Sequence, residues 1–275
     1  MKLMKKMIAA LTLTGLLAAS LGLSAFADDA ANVATLTEQQ VTKHLVMAES
    51  LDVPDAEFSF AVTAVTADAP AVTIGSISYS SADDKGNLST EGVYTVDKNA
   101  EITFGTFPHA GTYEYTVTET TGSAEGITYD STSYTMTVYV ANGSDGALAV
   151  QRIIVEADNG KQYELSFTNT YCKNGSLTIT KNTEGDLADK TKDFAFTITF
   201  IKSGTESDSV TSYTGKIGEE PIECTIGQET SFYLHDGESL VFDDLPVGTR
   251  YVVTEVAAAD GYTPSVSVIE NGVQT

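Results

Sequence analysis

The stretch Gly111-Thr112-Tyr113-Glu114-Tyr115-Thr116-Val117-Thr118-Glu119 alternates with period two, as a half-buried β-strand does. Its echo is Gly248-Thr249-Arg250-Tyr251-Val252-Val253-Thr254-Glu255, so Tyr-x-Val-Thr-Glu occurs twice. Parity places Tyr113, Tyr115, Val117 and Glu119 on one face, and Thr112, Glu114, Thr116 and Thr118 on the other. Glu119 therefore ends a core-facing row, and Glu255 ends the row behind Tyr251 and Val253. A carboxylate on an apolar face is costly unless it is paired, protonated or used. A strand end whose acid escapes to solvent is the plain alternative, and recurrence at matching positions weighs against it.

The repeat extends outward from these strands. The first half runs Val41-Thr42-Lys43, then Phe58-x-Phe60, then Glu119; the second runs Ile179-Thr180-Lys181, then Phe194-x-Phe196, then Glu255. Lysine precedes glutamate by 76 residues in the first half (43 to 119) and by 74 in the second (181 to 255). In an extended chain Val41, Lys43, Leu45 and Met47 share a face, as do Leu177, Ile179 and Lys181. Lysine is rarely buried without a partner, so each half places an amine as well as a carboxyl on its core side. A lysine snorkelling from a strand end remains the alternative for either residue. Leu165, Phe167 and Asn169 share another face, which brings an amide to where amine and acid could converge. A buried Lys–Glu salt bridge with a hydrogen-bonded asparagine is the conservative interpretation.

Residues 1–27 read as a secretory signal: Lys2, Lys5 and Lys6, then an apolar run from Met7 to Leu23, then Ala25-Phe26-Ala27 as a cleavage site. Cleavage removes three lysines and no acid, which leaves 12 basic against 38 acidic residues and a net charge of −26. Such a chain repels nucleic acid and anionic lipid, so neither nucleic acid nor, after cleavage, a membrane is expected as a partner. Many Thr, Val, Tyr and Phe, and no long 3.6-residue pattern, favour an all-β protein. Strand-like runs are Glu57–Val65, Ala71–Tyr79, Gly92–Val96, Glu101–Thr106, Tyr113–Glu119, Ser133–Val140, Ala147–Glu156 and Tyr163–Asn169. Asn174-Gly175 then punctuates and the pattern restarts. The expected organisation is two tandem Ig-like β-sandwich domains, 28–173 and 174–275, after the signal peptide.

Other chemistries find little footing. His44, His109 and His235 are scattered without metal-ligand spacing, so neither a metal nor another cofactor is implied. There is no Gly-x-Ser-x-Gly elbow, no phosphate-binding glycine loop and no Asp-x-Asp-x-Asp-Gly calcium run. Cys172 and Cys224 lie in an oxidising compartment and could pair. A thioester of Cys172 is disfavoured by its place at the domain boundary.

The ordered set of Thr-Lys strand, Tyr-x-Val-Thr-Glu strand, Ile127-Thr128-Tyr129-Asp130 with Ser133-Tyr134, and Phe167-Thr168-Asn169 resembles a known family. It is similar to the self-crosslinking domains of Gram-positive sortase-assembled pilins, of the two-domain streptococcal T-antigen type. In the second half Lys192-Asp193-Phe194-Ala195-Phe196, Asp236-Gly237-Glu238-Ser239 and Leu245-Pro246-Val247-Gly248 share the resemblance. The resemblance implies a spontaneous isopeptide bond from Lys43 to Asn169, assisted by Glu119, with release of ammonia. It implies no enzyme, only one intramolecular turnover per bond. It also implies a secreted pilus backbone subunit at the cell wall, joined to other pilin subunits by sortase. The stalk of a wall-anchored adhesin is the second reading, with a host or surface ligand left open.

The second half departs from the pattern. It has Lys181 and Glu255 but no Phe-x-Asn strand; Asn271 shares parity with Ile269 yet sits in Asn271-Gly272, too early for the role. No LPxTG-type sorting signal follows, and Leu245-Pro246-Val247-Gly248-Thr249 lies inside a domain, so the expectation is a chain truncated before its last strand. Lys181 and Glu255 should then meet without a crosslink. For the sortase acceptor the candidates are Lys161, in the turn before the closing strand, and Lys173 in Tyr171-Cys172-Lys173-Asn174.

Overall fold

The computed structural model describes Leu36 and residues 39–256, 261–270 and 273–274. The expected signal peptide and Asn271 lie outside them. Among the described residues there is no helix. The described residues form one compact unit.

Up to Tyr171 the chain supplies β1 (Gln40–Ala48), β2 (Ala56–Phe58), β3 (Phe60–Ala64), β4 (Val72–Ile74), β5 (Ile77–Tyr79) and β6 (Val93–Phe104). It continues with β7 (Gly111–Glu119), β8 (Ile127–Thr128), β9 (Ser133–Asn142), β10 (Leu148–Ala157), β11 (Gly160–Gln162) and β12 (Ser166–Tyr171). One five-stranded sheet has the order β4-β6-β1-β12-β8, the other β11-β10-β9-β7-β3, and β2 pairs with β5 as a separate ribbon. β1 lies between antiparallel β6 and parallel β12. The first and last long strands of this sandwich are therefore neighbours.

Several boundaries differ from those expected. Gly92–Val96 and Glu101–Thr106 are one strand, β6, because the alternation runs on through Asp97-Lys98-Asn99. Val96, Ala100 and Ile102 are buried on the same parity. Lys98 also faces that side and is satisfied there, donating to Ser78 O at 2.6 Å and to Asp83 Oδ2 at 2.7 Å. Glu57–Val65 breaks at Ser59, where the chain passes from β2, against β5, to β3, against β7. Ala71–Tyr79 breaks at Gly75-Ser76, and the Tyr163–Asn169 run begins only at Ser166, with Tyr163 exposed.

The second half supplies β13 (Asn174–Thr180), β14 (Phe194–Ile201), β15 (Ser212–Ile217), β16 (Glu220–Thr225), β17 (Thr230–Leu234), β18 (Ser239–Pro246) and β19 (Arg250–Glu255). Their sheets run β13-β18-β15-β16 and β17-β14-β19, and a short ribbon of β20 (Ile269–Glu270) and β21 (Val273–Gln274) follows. Phe194, Phe196, Ile198, Phe200, Phe232 and Phe242 fill the core between the two sheets. β13 corresponds to β1 and β18 to β6. Among the described residues β13 pairs with β18 alone, and β19 with β14 alone. Among the described residues β13 therefore lacks the second neighbour that β12 gives β1.

Candidate functional site

The three residues singled out in the first half meet. Lys43 on β1 is opposite Phe167 on β12, and Leu45 is opposite Asn169, so Lys43 and Asn169 sit one step apart on the same face of two parallel strands. Both are fully buried. Glu119, the last residue of β7, faces them from the opposite sheet and is also buried. Lys43 Nζ lies 2.9 Å from Glu119 Oε1, and Asn169 Nδ2 donates to the same Oε1 at 3.1 Å. The amine also donates to Phe167 O at 3.3 Å and lies 4.9 Å from the centre of the Phe58 ring.

The site is a polar seam between two apolar clusters. Val41, Val117 and Phe167 belong to one cluster, with Tyr113, Tyr115 and Met136; Leu45, Phe58 and Tyr171 belong to the other, with Met47 and Tyr79. On β1, Lys43 interrupts the run between Val41 and Leu45. On β12, Asn169 interrupts it between Phe167 and Tyr171. Phe60 and Tyr134 pack on Phe167, each with ring centres 5.3 Å apart, and Tyr134 donates to Ser166 O at 2.6 Å. Replacing such a buried polar set by hydrophobic residues is often neutral or stabilising, so stability alone does not account for it. Burial holds the Lys43 amine below its ordinary pKa of 10.5, against the opposing pull of the Glu119 hydrogen bond and charge and, more weakly, the Asp130 charge.

One contributor was not singled out from sequence. Asp130, in the loop after β8, donates its backbone N–H to Asn169 Oδ1 at 2.7 Å and to Glu119 Oε2 at 3.1 Å. Tyr129-Asp130 stands in the motif quoted above, but a backbone donor leaves no side-chain signature. The available signal was Asp130-Ser131-Thr132, an Asx-type turn in which Thr132 N–H donates to Asp130 Oδ1 at 2.8 Å.

In the second half Lys181 Nζ lies 3.0 and 3.1 Å from the two oxygens of Glu255 and 4.1 Å from the centre of the Phe194 ring. Phe196 is opposite Glu255 as Phe60 is opposite Glu119, and Tyr262 stacks edge-on to Phe194 where Tyr129 tilts against Phe58. The pairing matches the expectation; the burial does not. Tyr251 is 45% exposed and Lys181 and Glu255 are partly covered, because β19 and β13 are end strands with nothing packed beyond them among the described residues. Among those residues no side chain other than Lys181 bonds Glu255.

Lys161 is exposed within β11, opposite Glu156, rather than in a turn; Lys173 is exposed between β12 and β13. Cys172 and Cys224 do not pair. Both are free, Cys224 buried in the core of the second sandwich and Cys172 beside Thr205.

Residues 39–172 match the model of the Spy0128-like isopeptide containing domain. The first sandwich is similar to that family over this span. Residues 175–275 match a domain of unknown function, DUF7601. The chain is 35% identical over 194 residues to a pilin of Streptococcus pyogenes serotype M1, across 67% of this chain and 55% of the relative. It therefore spans about half the length of that pilin. It is also 43% identical over 84 residues to the pilus tip adhesin Cpa of Streptococcus pyogenes, across 30% of this chain and 12% of the adhesin. Among solved structures, the major pilin protein (T3.2) of Streptococcus pyogenes is 27% identical, with 83% of this chain and 86% of that one covered and a TM-score of 0.44.

Proposed function

We propose that this chain is a structural backbone subunit of a covalently polymerised cell-surface pilus, and that its first sandwich closes on itself through an isopeptide bond. The observation that supports this best is the bonding of the Lys43 amine and the Asn169 amide to one oxygen of Glu119, in a fully buried seam. Neutral Lys43 Nζ adds to Asn169 Cγ, the Cγ–Nδ2 bond breaks, and ammonia leaves. Glu119 Oε1, which touches both nitrogens, passes the proton from Nζ to Nδ2. Reactants are held by the fold, which replaces an enzyme. The bond turns over once, so the finished protein acts on no substrate. Linking β1 to β12 carries tension through covalent bonds instead of a hydrogen-bonded ladder, which suits a secreted subunit held at the cell wall.

The lowered affinity of Lys43 for its proton sets the pH dependence. Before the bond forms, the folded chain binds fewer protons at Lys43 than the unfolded chain. That costs stability below the lowered pKa, and the cost disappears as pH rises toward 10.5. Bond formation needs the neutral amine, so its rate should climb with pH and level off below 10.5. Chain recovered unfolded with its amide intact, then refolded across that range and weighed, provides the measurement. A rate independent of pH contradicts a lysine nucleophile.

Assembly is tested on walls of the bacterium that makes the protein. A ladder of high-mass species reactive with antibody to this chain is expected, and it should collapse in either Lys161→Ala or Lys173→Ala, whichever removes the sortase acceptor. A single wall-linked species would instead favour an adhesin stalk.

A further inference from the structure

We propose that the backbone N–H of Asp130 is the oxyanion donor of the crosslinking reaction, held in position by the Asp130 carboxylate. This rests on the Lys43–Asn169 bond proposed above. When Nζ adds to Cγ, negative charge develops on Asn169 Oδ1, and the Asp130 N–H already lies 2.7 Å from that oxygen in a site closed to water. The same N–H reaches Glu119 Oε2, which leaves Oε1 turned toward the two nitrogens. As the addition intermediate collapses, the carbonyl re-forms, the Cγ–Nδ2 bond breaks, and the proton relayed by Glu119 leaves within ammonia.

The carboxylate fixes that N–H. Asp130 Oδ2 accepts the N–H of Thr168, the residue just before Asn169, at 2.7 Å, while Oδ1 accepts Thr132 N–H. Thr168 is exposed and Asn169 buried, so one residue grips β12 through its outward-lying neighbour and reaches the reacting amide with its backbone. Gly126, just before β8, anchors the segment that leads into this loop: its O accepts Cys172 N–H at 2.9 Å, and with φ at +76° a Cβ there would lie 2.3 Å from Cys172 O. The carboxylate also favours the protonated form of Lys43. Position and charge therefore act in opposite directions and can be separated.

The test follows ammonia loss by intact mass, and folding by circular dichroism, in the full chain refolded across neutral and alkaline pH. Cell-free synthesis with the α-hydroxy analogue of aspartate at position 130 replaces only the N–H by an ester oxygen. That chain should show a plateau rate lower by about 10²-fold, within the range for loss of one oxyanion donor, with the pH profile unmoved. Asp130→Ala should lower the plateau and also shift the profile to lower pH, because the charge is gone. Asp130→Asn, which keeps one acceptor oxygen, should share the shift and recover part of the rate; it decides the point if the alanine chain fails to fold. A folded ester chain reacting at the wild-type plateau, or Asp130 variants that fold and leave both rate and profile unchanged, would overturn the assignment while leaving the bond intact. A folded wild-type chain that keeps its ammonia overturns the bond, and the assignment with it.

Discussion

Glu119→Ala is expected to leave the chain one ammonia heavier than the crosslinked wild type and to destabilise the first sandwich by many kcal/mol. Two effects contribute. Without the proton relay the bond does not form, and a loop running from residue 43 to 169 is no longer closed. By the chain-entropy treatment of crosslinks that forfeits about 5 kcal/mol. In the linked protein Lys43 is an amide nitrogen and carries no charge. In the variant it stays an amine in a fully buried position with its acid removed, and breaking such a pair typically costs about 3–5 kcal/mol more. The two are not strictly additive. Lys43→Met separates them, since it removes the bond and the buried amine together and should lose mainly the crosslink contribution. Denaturant unfolding monitored by tyrosine fluorescence measures both, and a Glu119→Ala chain as stable as wild type would contradict the account.

The second large effect is a separation of the two sandwiches in unfolding. The first is closed by β12 lying against β1, while in the second β13 and β19 are end strands among the described residues and the Lys181–Glu255 pair is partly exposed. With side chains only 13% and 20% exposed, that pair loses much of its attraction to desolvation and adds little net stability beside a covalent closure. Limited proteolysis of this chain should therefore cut beyond about residue 175 first and leave a resistant fragment ending near Cys172. Thermal unfolding should show two steps, the lower one assigned to the second sandwich. Lys181→Met should lower that step and leave the upper one in place, because Glu255, only 20% exposed, loses its cation. One cooperative transition with uniform digestion would show that these end strands do not weaken the second half.

How much of this could be read beforehand depends on the kind of feature. Period-two alternation sufficed for Tyr113 to Glu119 and for Leu165 to Asn169, because a one-residue slip would turn every apolar side chain outward. That is also why Lys43, Glu119 and Asn169 could be assigned to the core face. Alternation says nothing about which strands are neighbours. The parallel pairing of β1 with β12, and the one-step offset of Lys43 from Asn169, come from the closure of the whole sheet. The strand-like runs Gly92–Val96 and Glu101–Thr106 stood apart because polar Asp97-Lys98-Asn99 lies between them, yet Lys98 finds an acid and a carbonyl on the inner side and the strand continues. The same parity applied to Tyr251 and Glu255 gave the right direction but too much burial, since burial needs a covering strand. Asp130 contributes through its peptide group, and no side-chain pattern encodes that.

The central claim is the covalent closure of the first sandwich, and mass spectrometry of the folded wild-type chain tests it most directly. The account predicts an intact mass one ammonia below that of the same sequence unlinked. It also predicts a branched proteolytic peptide joining the segment around Lys43 to the segment around Asn169. A well-folded chain with the full mass, yielding the two segments as separate peptides, would contradict it.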